Sequence, residues 1–256
     1  MLTITFLGTG TSQGVPIIGS KHPVCLSADT KDKRLRVSIA IEWEDYFYVI
    51  DCGPDFRQQM LRCNAHHLDG ILFTHEHADH TAGLDDIRPF YFRQGNITMV
   101  MTPRVHSSLV QRFSYILSDE NKYPGAPSVN VELIHPNRSF ALGNKAVMPI
   151  NVMHHRFPVT GFRIDNFAYL TDVKTIAEDE CEKLYGLDVL VVNALRIEPH
   201  PSHLNLEEAL QLIDKLKPQR AYLTHISHLL GFHEQVQQNL PEHVYLAYDT
   251  LQIKSQ

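Results

Sequence analysis

The sequence has 256 residues, 43% of them hydrophobic, which suits a folded protein and excludes a largely disordered one. Its formal net charge of −6 argues against a large nucleic-acid-binding surface, and its apolar runs are too short to cross a membrane. The four cysteines show no close pairing, as expected for a cytosolic protein whose thiols stay reduced.

The chain begins with a period-two strand pattern at Leu2–Phe6, without a basic segment or a signal-peptide core. We therefore expect a cytoplasmic protein. No linker or long repeat interrupts the sequence, so we predict a single domain over residues 1–256. Further strands are predicted at 38–43, 46–50, 70–74, 98–101, 129–133, 146–152, 161–164, 167–171, 189–193, 221–224 and 244–248, and helices at 55–62, 104–118, 175–185 and 206–217.

The clearest helix is predicted over 206–217. Asn205 can cap its first turn, and Glu208 completes a capping-box pattern with it. Pro218 cannot continue a helix and marks its end. Many strands with helices at intervals predict an α/β protein in which sheets pack together and are covered by helices.

The most informative segment is the run His75-Glu76-His77-Ala78-Asp79-His80, which follows the predicted strand at 70–74. A hydrophobic core has no use for so many polar side chains, because each would need a buried partner. The run lies where a strand ends and a loop begins, which is where α/β proteins usually carry their chemistry. These side chains are ligands for zinc, manganese or iron.

A local pattern recurs at three strand ends, where an apolar strand is followed by threonine and then by a residue able to bind metal. The three pairs are Thr74 with His75, Thr171 with Asp172, and Thr224 with His225. If the three strands lie side by side, their ends converge on one site.

The spacing of these residues accommodates two divalent cations. Residues two apart in an extended loop point the same way, so His75 and His77 could share one cation. Asp79 and His80 could reach a second. The remaining candidates are His154 or His155 for the first cation, His225 for the second, and Asp172 as a bridge between both. Two cations about 4 Å apart would activate a water molecule for attack on a phosphodiester or a carbonyl.

The motif HxHxDH, followed by a distant histidine, an aspartate and a last histidine, resembles the metallo-β-lactamase-fold hydrolases over nearly the whole chain. The resemblance implies an αββα sandwich, in which two mixed β-sheets pack face to face with helices on the outside. It also implies that Asp51 supports the ligand loop. Asp79 could serve as a metal ligand, as a proton acceptor, or as both, and the sequence does not separate these roles. The spacing to Gly161-Phe162 favours His155 as the third histidine ligand, with His154 as the alternative.

A narrower resemblance is to the PhnP-like cyclic phosphodiesterases of the carbon–phosphorus lyase pathway. It is carried by the glycine-rich run 8–16, by His203, and by Thr224-His225-Ile226-Ser227-His228. It implies a dinuclear metal-dependent phosphodiesterase acting on a small phosphate ester, cyclic ones included, through metal-activated hydroxide. It also implies a homodimer, and a role for His203 in protonating or hydrogen-bonding the leaving oxygen. We expect His203 to suit that task with an unperturbed pKa.

Many members of that group hold a structural zinc with a Cys-x-Cys-x-x-Cys loop and a histidine. In this chain Ser20 and His22 replace the first two cysteines, and only Cys25 remains. His22, Cys25 and His228 are therefore candidate ligands of an additional structural zinc. A structural site normally has four protein ligands, so the substitutions argue against it.

Three other functions compete with a phosphodiesterase. An RNA-processing endonuclease like the tRNA 3′-processing enzyme would need a basic surface, which the acidic balance does not favour. A thioester or lactone hydrolase could use the same metals on a carbonyl. A non-catalytic binding protein on this scaffold would be expected to lose ligands. We expect loops at 88–94 and 120–127 to select the substrate.

Overall fold

The computed structural model describes residues 1–118, 120 and 122–256. Strands form two mixed sheets. In spatial order the first sheet contains β15 (Gln252–Ser255), β1 (Leu2–Gly8), β2 (Ser38–Trp43), β3 (Tyr46–Ile50), β4 (Gly70–Leu72), β5 (Ile97–Met101) and β6 (Val129–Leu133). The second contains β11 (Thr175–Ile176), β8 (Lys145–His154), β9 (Phe157–Ile164), β10 (Phe167–Leu170), β12 (Val189–Asn193), β13 (Arg220–Thr224) and β14 (Val244–Leu246), with β7 (Phe140–Leu142) paired to β8.

Helices connect the strands, and several of them cover the outer faces of the two sheets. The helices are α1 (Pro23–Leu26), α2 (Phe56–Arg62), α3 (Ala78–Thr81), α4 (Arg88–Gln94), α5 (Pro103–Arg112), α6 (Ser114–Leu117), α7 (Glu178–Glu182), α8 (Leu206–Leu216) and α9 (His233–Gln237). Within the described part of the chain, no helix is both long and apolar enough to cross a membrane.

Three buried clusters produce the layers. Between the sheets, alternate residues such as Ile39 and Ile41 of β2 pack against Phe162 and Tyr169 of the second sheet. The opposite side of the first sheet packs against α2, α4 and α5, and that of the second sheet packs against α7 and α8. Strands buried on both faces read as continuous apolar runs, as Val189–Asn193 does. The predicted αββα sandwich is confirmed.

The helix at the predicted position 206–217 has the expected start. The Asn205 side chain accepts from the Glu208 N–H, and the Glu208 carboxylate accepts from the Asn205 N–H, both at 2.9 Å. Lys217 caps its end in the left-handed conformation, with φ of 48°. The capping box and the apolar face therefore identified this element correctly.

Three other predictions need correction. The predicted helix at 175–185 is reduced to α7, because Thr175 and Ile176 pair with β8 as a short strand. The predicted helix at 104–118 divides at Phe113 into α5 and α6. The predicted loop at 88–94 is α4, which has a proline in its first turn. Asn121, in the second predicted loop, lies outside the described residues.

Candidate metal centre

Asp172 lies at the centre of a group of imidazoles at one end of the sandwich. Its Oδ2 is 3.2 Å from His80 Nε2, and its Oδ1 is 3.4 Å from His225 Nε2. All three side chains are buried. The predicted convergence is confirmed, but not by neighbouring strands: β4 belongs to the first sheet, and β12 separates β10 from β13 in the second.

The backbone turns sharply just after strands β3, β10 and β13. Asp51 after β3, Asp172 after β10 and His225 after β13 have φ values of 64°, 56° and 53°. This left-handed region costs a residue with a side chain about 1 kcal/mol. Such strain persists where the surrounding structure holds it, and it concentrates at functional sites.

Four side chains surround the position of the second predicted cation. Asp79 Oδ2 lies 3.3 Å from His80 Nε2 and 3.8 Å from His225 Nε2. Asp172 completes the group through its contacts with both histidines. The arrangement brings two carboxylates and two imidazoles together as the sequence predicted.

The histidine that lies near His75 and His77 is not the one expected from the sequence. His75 Nε2 and His77 Nδ1 are 2.9 Å apart, and the His77 ring lies 5.4 Å from that of His154. His155 is exposed at the turn between β8 and β9, with φ of 56°. The structure therefore contradicts the placement of His155 in this group and brings His154 there instead. The Nδ1–H of His154 donates to the Ser202 carbonyl at 2.8 Å, which leaves Nε2 to bind metal.

Asp51 organises the ligand loop, as the resemblance implied. Its carboxylate accepts from His80 Nδ1–H at 2.7 Å, from the Thr74 N–H at 2.9 Å and from the Thr74 hydroxyl at 2.8 Å. Because that hydroxyl donates its proton to Asp51, its oxygen accepts a hydrogen bond from His75 Nδ1–H at 3.0 Å. Asp51 thereby orients the His80 ring directly and the His75 ring through Thr74.

The arrangement of these side chains is suited to binding divalent cations. Among the described residues, His80 Nε2 and both ring nitrogens of His225 are buried without a hydrogen-bond partner, although carboxylate oxygens lie near them. The same described residues include three groups in which one donor atom from each member lies within 4.8 Å of the others. The groups are His75, His80 and Asp172; Asp79, His80 and His225; and His154, Asp172 and His203. Unpartnered lone pairs beside carboxylates are the environment that a cation satisfies.

Opposite charges stabilise one another inside this cluster. Burial opposes a charge on His80, but Asp172, Asp79 and Asp51 outweigh it and hold its pKa well above the usual value. Burial likewise opposes the charge on Asp172, yet His225 and His80 keep its pKa well below normal. The pKa of His75 is lowered well below normal, mainly by burial, so this imidazole is neutral and its lone pair is available.

His203 lies inside the cluster. Its Nε2 is 3.1 Å from Asp172 Oδ1, and its Nδ1 faces the Ser202 hydroxyl at 3.1 Å and His200 Nδ1 at 3.2 Å. Burial lowers the pKa of His203 to about 4, against the opposing hydrogen bond with Asp172. The expectation of an unperturbed pKa is therefore wrong, and a neutral His203 can act as a hydrogen-bond donor.

His22, Cys25 and His228 form what we call the N-terminal histidine cluster. The two rings are 4.7 Å apart, but His22 Nδ1 accepts from the Val24 N–H at 3.3 Å as a helix cap. Cys25 packs in a small apolar cluster with Val15 and Val24. Within the described ranges, no three-donor group includes these residues, so the structure does not assemble the candidate structural zinc site.

Sequence reasoning missed two kinds of residue near the centre. Ser202 orients His154 through its backbone, for which no side-chain pattern gives a signal. Glu76 lies between two ligand histidines but turns to Arg104, whose guanidinium lies over the Phe157 ring. Phe157 and Pro158 begin β9 as exposed residues, but the strand was predicted to begin only at residue 161, so no signal marked this ring.

Comparison with known proteins identifies the family of this fold. The beta-lactamase superfamily domain matches residues 46–226, which include all the residues of the candidate metal centre. A crystal structure of a diphosphatase from the PhnP family superposes with a TM-score of 0.92 and 36% identity, covering 99% of this chain and 98% of that chain. Zinc-bound PqqB from Methylobacterium extorquens superposes with a TM-score of 0.82 at 18% identity, covering 98% of this chain and 99% of that chain, and shares the fold.

A curated relative from Porphyromonas gingivalis, an octanoyltransferase, is 38% identical over 248 residues. The match covers 96% of this chain but 50% of the relative. The chain therefore spans about half the length of that protein, and the name describes the longer protein.

Proposed function

We propose that this chain, which belongs to the beta-lactamase superfamily, is a metal-dependent phosphodiesterase for small phosphate esters, cyclic ones included. One observation carries the proposal: Asp172 contacts His80 and His225 at 3.2 and 3.4 Å, in a cluster whose buried imidazole nitrogens lack hydrogen-bond partners. A paired site of this kind suits displacement at phosphorus, where negative charge must be stabilised on several oxygens.

The ligands divide into two sets that share Asp172. His75, His77, His154 and Asp172 would hold the first cation, and Asp79, His80, Asp172 and His225 the second. Zinc, manganese and iron all accept such a mixture of nitrogen and oxygen donors. Bound divalent cations favour the ionisation of water and neutralise charge on phosphoryl oxygens.

The chain's own groups supply the remaining chemistry. We assign Asp79 as the acceptor of the attacking water's proton because it lies among the proposed ligands, 3.3 Å from His80 Nε2 and 3.8 Å from His225 Nε2. These histidines keep its carboxylate ionised despite burial. His203, whose Nε2 faces Asp172 in this structure, would donate its N–H to the leaving oxygen in place of Asp172. Asp51 and Ser202 hold the ligand imidazoles in position, so that little reorganisation accompanies the reaction.

A second candidate substrate is a diphosphate. The observation that favours it is the 36% identity, over 99% of this chain, to the PhnP-family diphosphatase. Cleavage of a diphosphate is also displacement at phosphorus, so the same residues serve it. The difference lies in the leaving group, which is a phosphate instead of an alkoxide.

The decisive experiment measures hydrolysis of a chromogenic phosphodiester and of a diphosphate ester by protein stripped of metal and reloaded with zinc or manganese. Asp172→Ala is the test variant and His155→Ala the matched control. Metal-dependent turnover by wild type and control, with at least about a 10³-fold loss in Asp172→Ala, supports the proposal. Two bound metals without turnover of either ester would overturn it and favour thioester, lactone or RNA substrates.

A further inference from the structure

An exposed aromatic ring and a guanidinium group lie against each other beside the metal centre. Phe157 is 46% exposed, whereas Phe162 and Phe167 of the same sheet are buried. The guanidinium carbon of Arg104 lies 5.0 Å from the centroid of its ring. We call Glu76, Arg104 and Phe157 the rim platform. A large exposed aromatic beside a polar cleft is a common feature of ligand sites.

The platform is joined to the residues that would bind metal. Phe157 pairs with His154 across the β8–β9 hairpin, and its ring lies 5.6 Å from the ring of His77. Glu76 stands between His75 and His77 in the ligand loop. A phosphate group held by these histidines would therefore carry its ester substituent within reach of Phe157.

The charge of Arg104 is already compensated. Its Nε and its terminal nitrogen donate to Glu76 Oε1 at 2.9 and 2.6 Å, and Arg112 donates to the Glu76 carbonyl at 2.8 Å. A further phosphate would have to compete with Glu76 for these donors. The exposed surfaces of Phe157 and Arg104 remain suitable for a planar ring, whose binding is stabilised by contact with both an aromatic and a guanidinium group.

We propose that the rim platform is a subsite for a planar heterocycle of the nucleobase type on the substrate's ester group. Hydrolysis of such substrates rests on the proposed function, whereas binding of the heterocycle to the rim platform does not. One base stacked on an aromatic side chain improves affinity by about 10-fold or more. The substrates would then be nucleoside phosphodiesters or nucleoside diphosphate derivatives, rather than phosphate esters of a bare sugar.

The kinetic test compares two esters with the same leaving group, thymidine 5′-(p-nitrophenyl phosphate) and methyl p-nitrophenyl phosphate. We expect metal-loaded wild type to prefer the nucleoside ester by about 10-fold in kcat/KM, mostly through KM. Phe157→Ala should reduce that ratio to near one, and Phe157→Trp should restore it. Tyr185→Ala, which removes a 46% exposed tyrosine that follows α7, is the matched control and should keep the wild-type ratio. An unchanged ratio in Phe157→Ala would overturn the subsite.

A binding test separates failure of the subsite from failure of the proposed function. Calorimetry on the metal-loaded protein should show adenosine 5′-monophosphate binding about 10-fold tighter than ribose 5-phosphate, with the difference lost in Phe157→Ala. That result without hydrolysis of either ester would retain the subsite and reject the phosphodiesterase. Equal affinity of wild type for both ligands would reject the subsite whatever the turnover.

Discussion

Two groups of histidines in this protein have similar residue types and different surroundings. In the metal centre, imidazoles alternate with the carboxylates of Asp79 and Asp172, and Asp51 orients the ring of His80. In the N-terminal histidine cluster, His22 and His228 face each other beside a thiol that packs among apolar side chains. Histidines therefore need two further features to form a metal site: carboxylates that balance the charge of the cation, and hydrogen-bond partners that orient each ring.

The largest expected effect comes from His203, which lies inside the metal centre but is assigned to substrate. His203→Ala should retain both metals and lose about 10² to 10⁴-fold in turnover, the usual contribution of a positioned acid–base group. Metal content after dialysis and kcat with a chromogenic ester are the two measurements. A fall in metal content would show that His203 is a ligand, as its distance of 3.1 Å from Asp172 would permit.

Neighbouring histidines provide a matched pair within the metal centre. His154→Ala should weaken binding of the first cation by about 100-fold, because it removes one of its proposed ligands. His155→Ala should leave metal affinity unchanged, since that side chain is exposed. Competition with a chromogenic chelator measures both affinities. The reverse ranking would restore the assignment made from sequence.

Asp51 tests whether orientation distinguishes the two groups. Asp51→Asn keeps the shape but gives up the charge that His80 and Thr74 contact. We expect metal affinity to fall by about 10- to 100-fold, as for other residues that orient ligands. Equal affinities of wild type and variant would show that the ligand loop holds its geometry without this carboxylate.

His233 tests the electrostatics near the N-terminal histidine cluster, where the adjacent Phe232 packs. Burial and the charges of Arg34 and Lys31, opposed by Asp29 and Asp32, lower the pKa of His233 to about 4. The unfolded chain, with a pKa of about 6.5, binds more protons between these values. The free energy of unfolding should therefore fall as pH drops from about 6.5 towards 4.

At pH 5 the loss attributable to His233 should be about 1 kcal/mol after discounting for solvent screening. Urea unfolding at pH 7 and pH 5 measures it, and His233→Gln should lack this part of the decrease. Parallel pH profiles of wild type and variant would contradict the assignment.

The smallest effect is expected in the N-terminal histidine cluster itself. His22→Ala should leave zinc content unchanged and alter the free energy of unfolding by about 1 kcal/mol or less, through loss of a helix cap. Zinc analysis of dialysed protein and urea unfolding are the measurements. Loss of one zinc per chain would show that this cluster binds metal despite its missing cysteines.

Much of the fold followed from local patterns. The bounds of β2, β3, β6 and β12 match the predicted strands. In β2, β3 and β12, residues buried on one or both faces leave a clear apolar signature. The short strand β11 and the helix α4 did not follow. Thr175 and Ile176 form a strand only because Met153 and Val152 of β8 lie beside them, and no local signal reports a partner that far along the chain.

The sequence by itself determined the ligand loop, because the residues of His75-Glu76-His77-Ala78-Asp79-His80 are close in space wherever the loop lies. It also marked Asp172 and His225 through the strand ends that precede them. Only the tertiary structure decided between His154 and His155, since successive residues at a strand end face different directions and a shift of one residue exchanges cluster for solvent. Only the tertiary structure placed Phe157 beside Arg104, because that contact joins the β8–β9 hairpin of one sheet to a helix on the other.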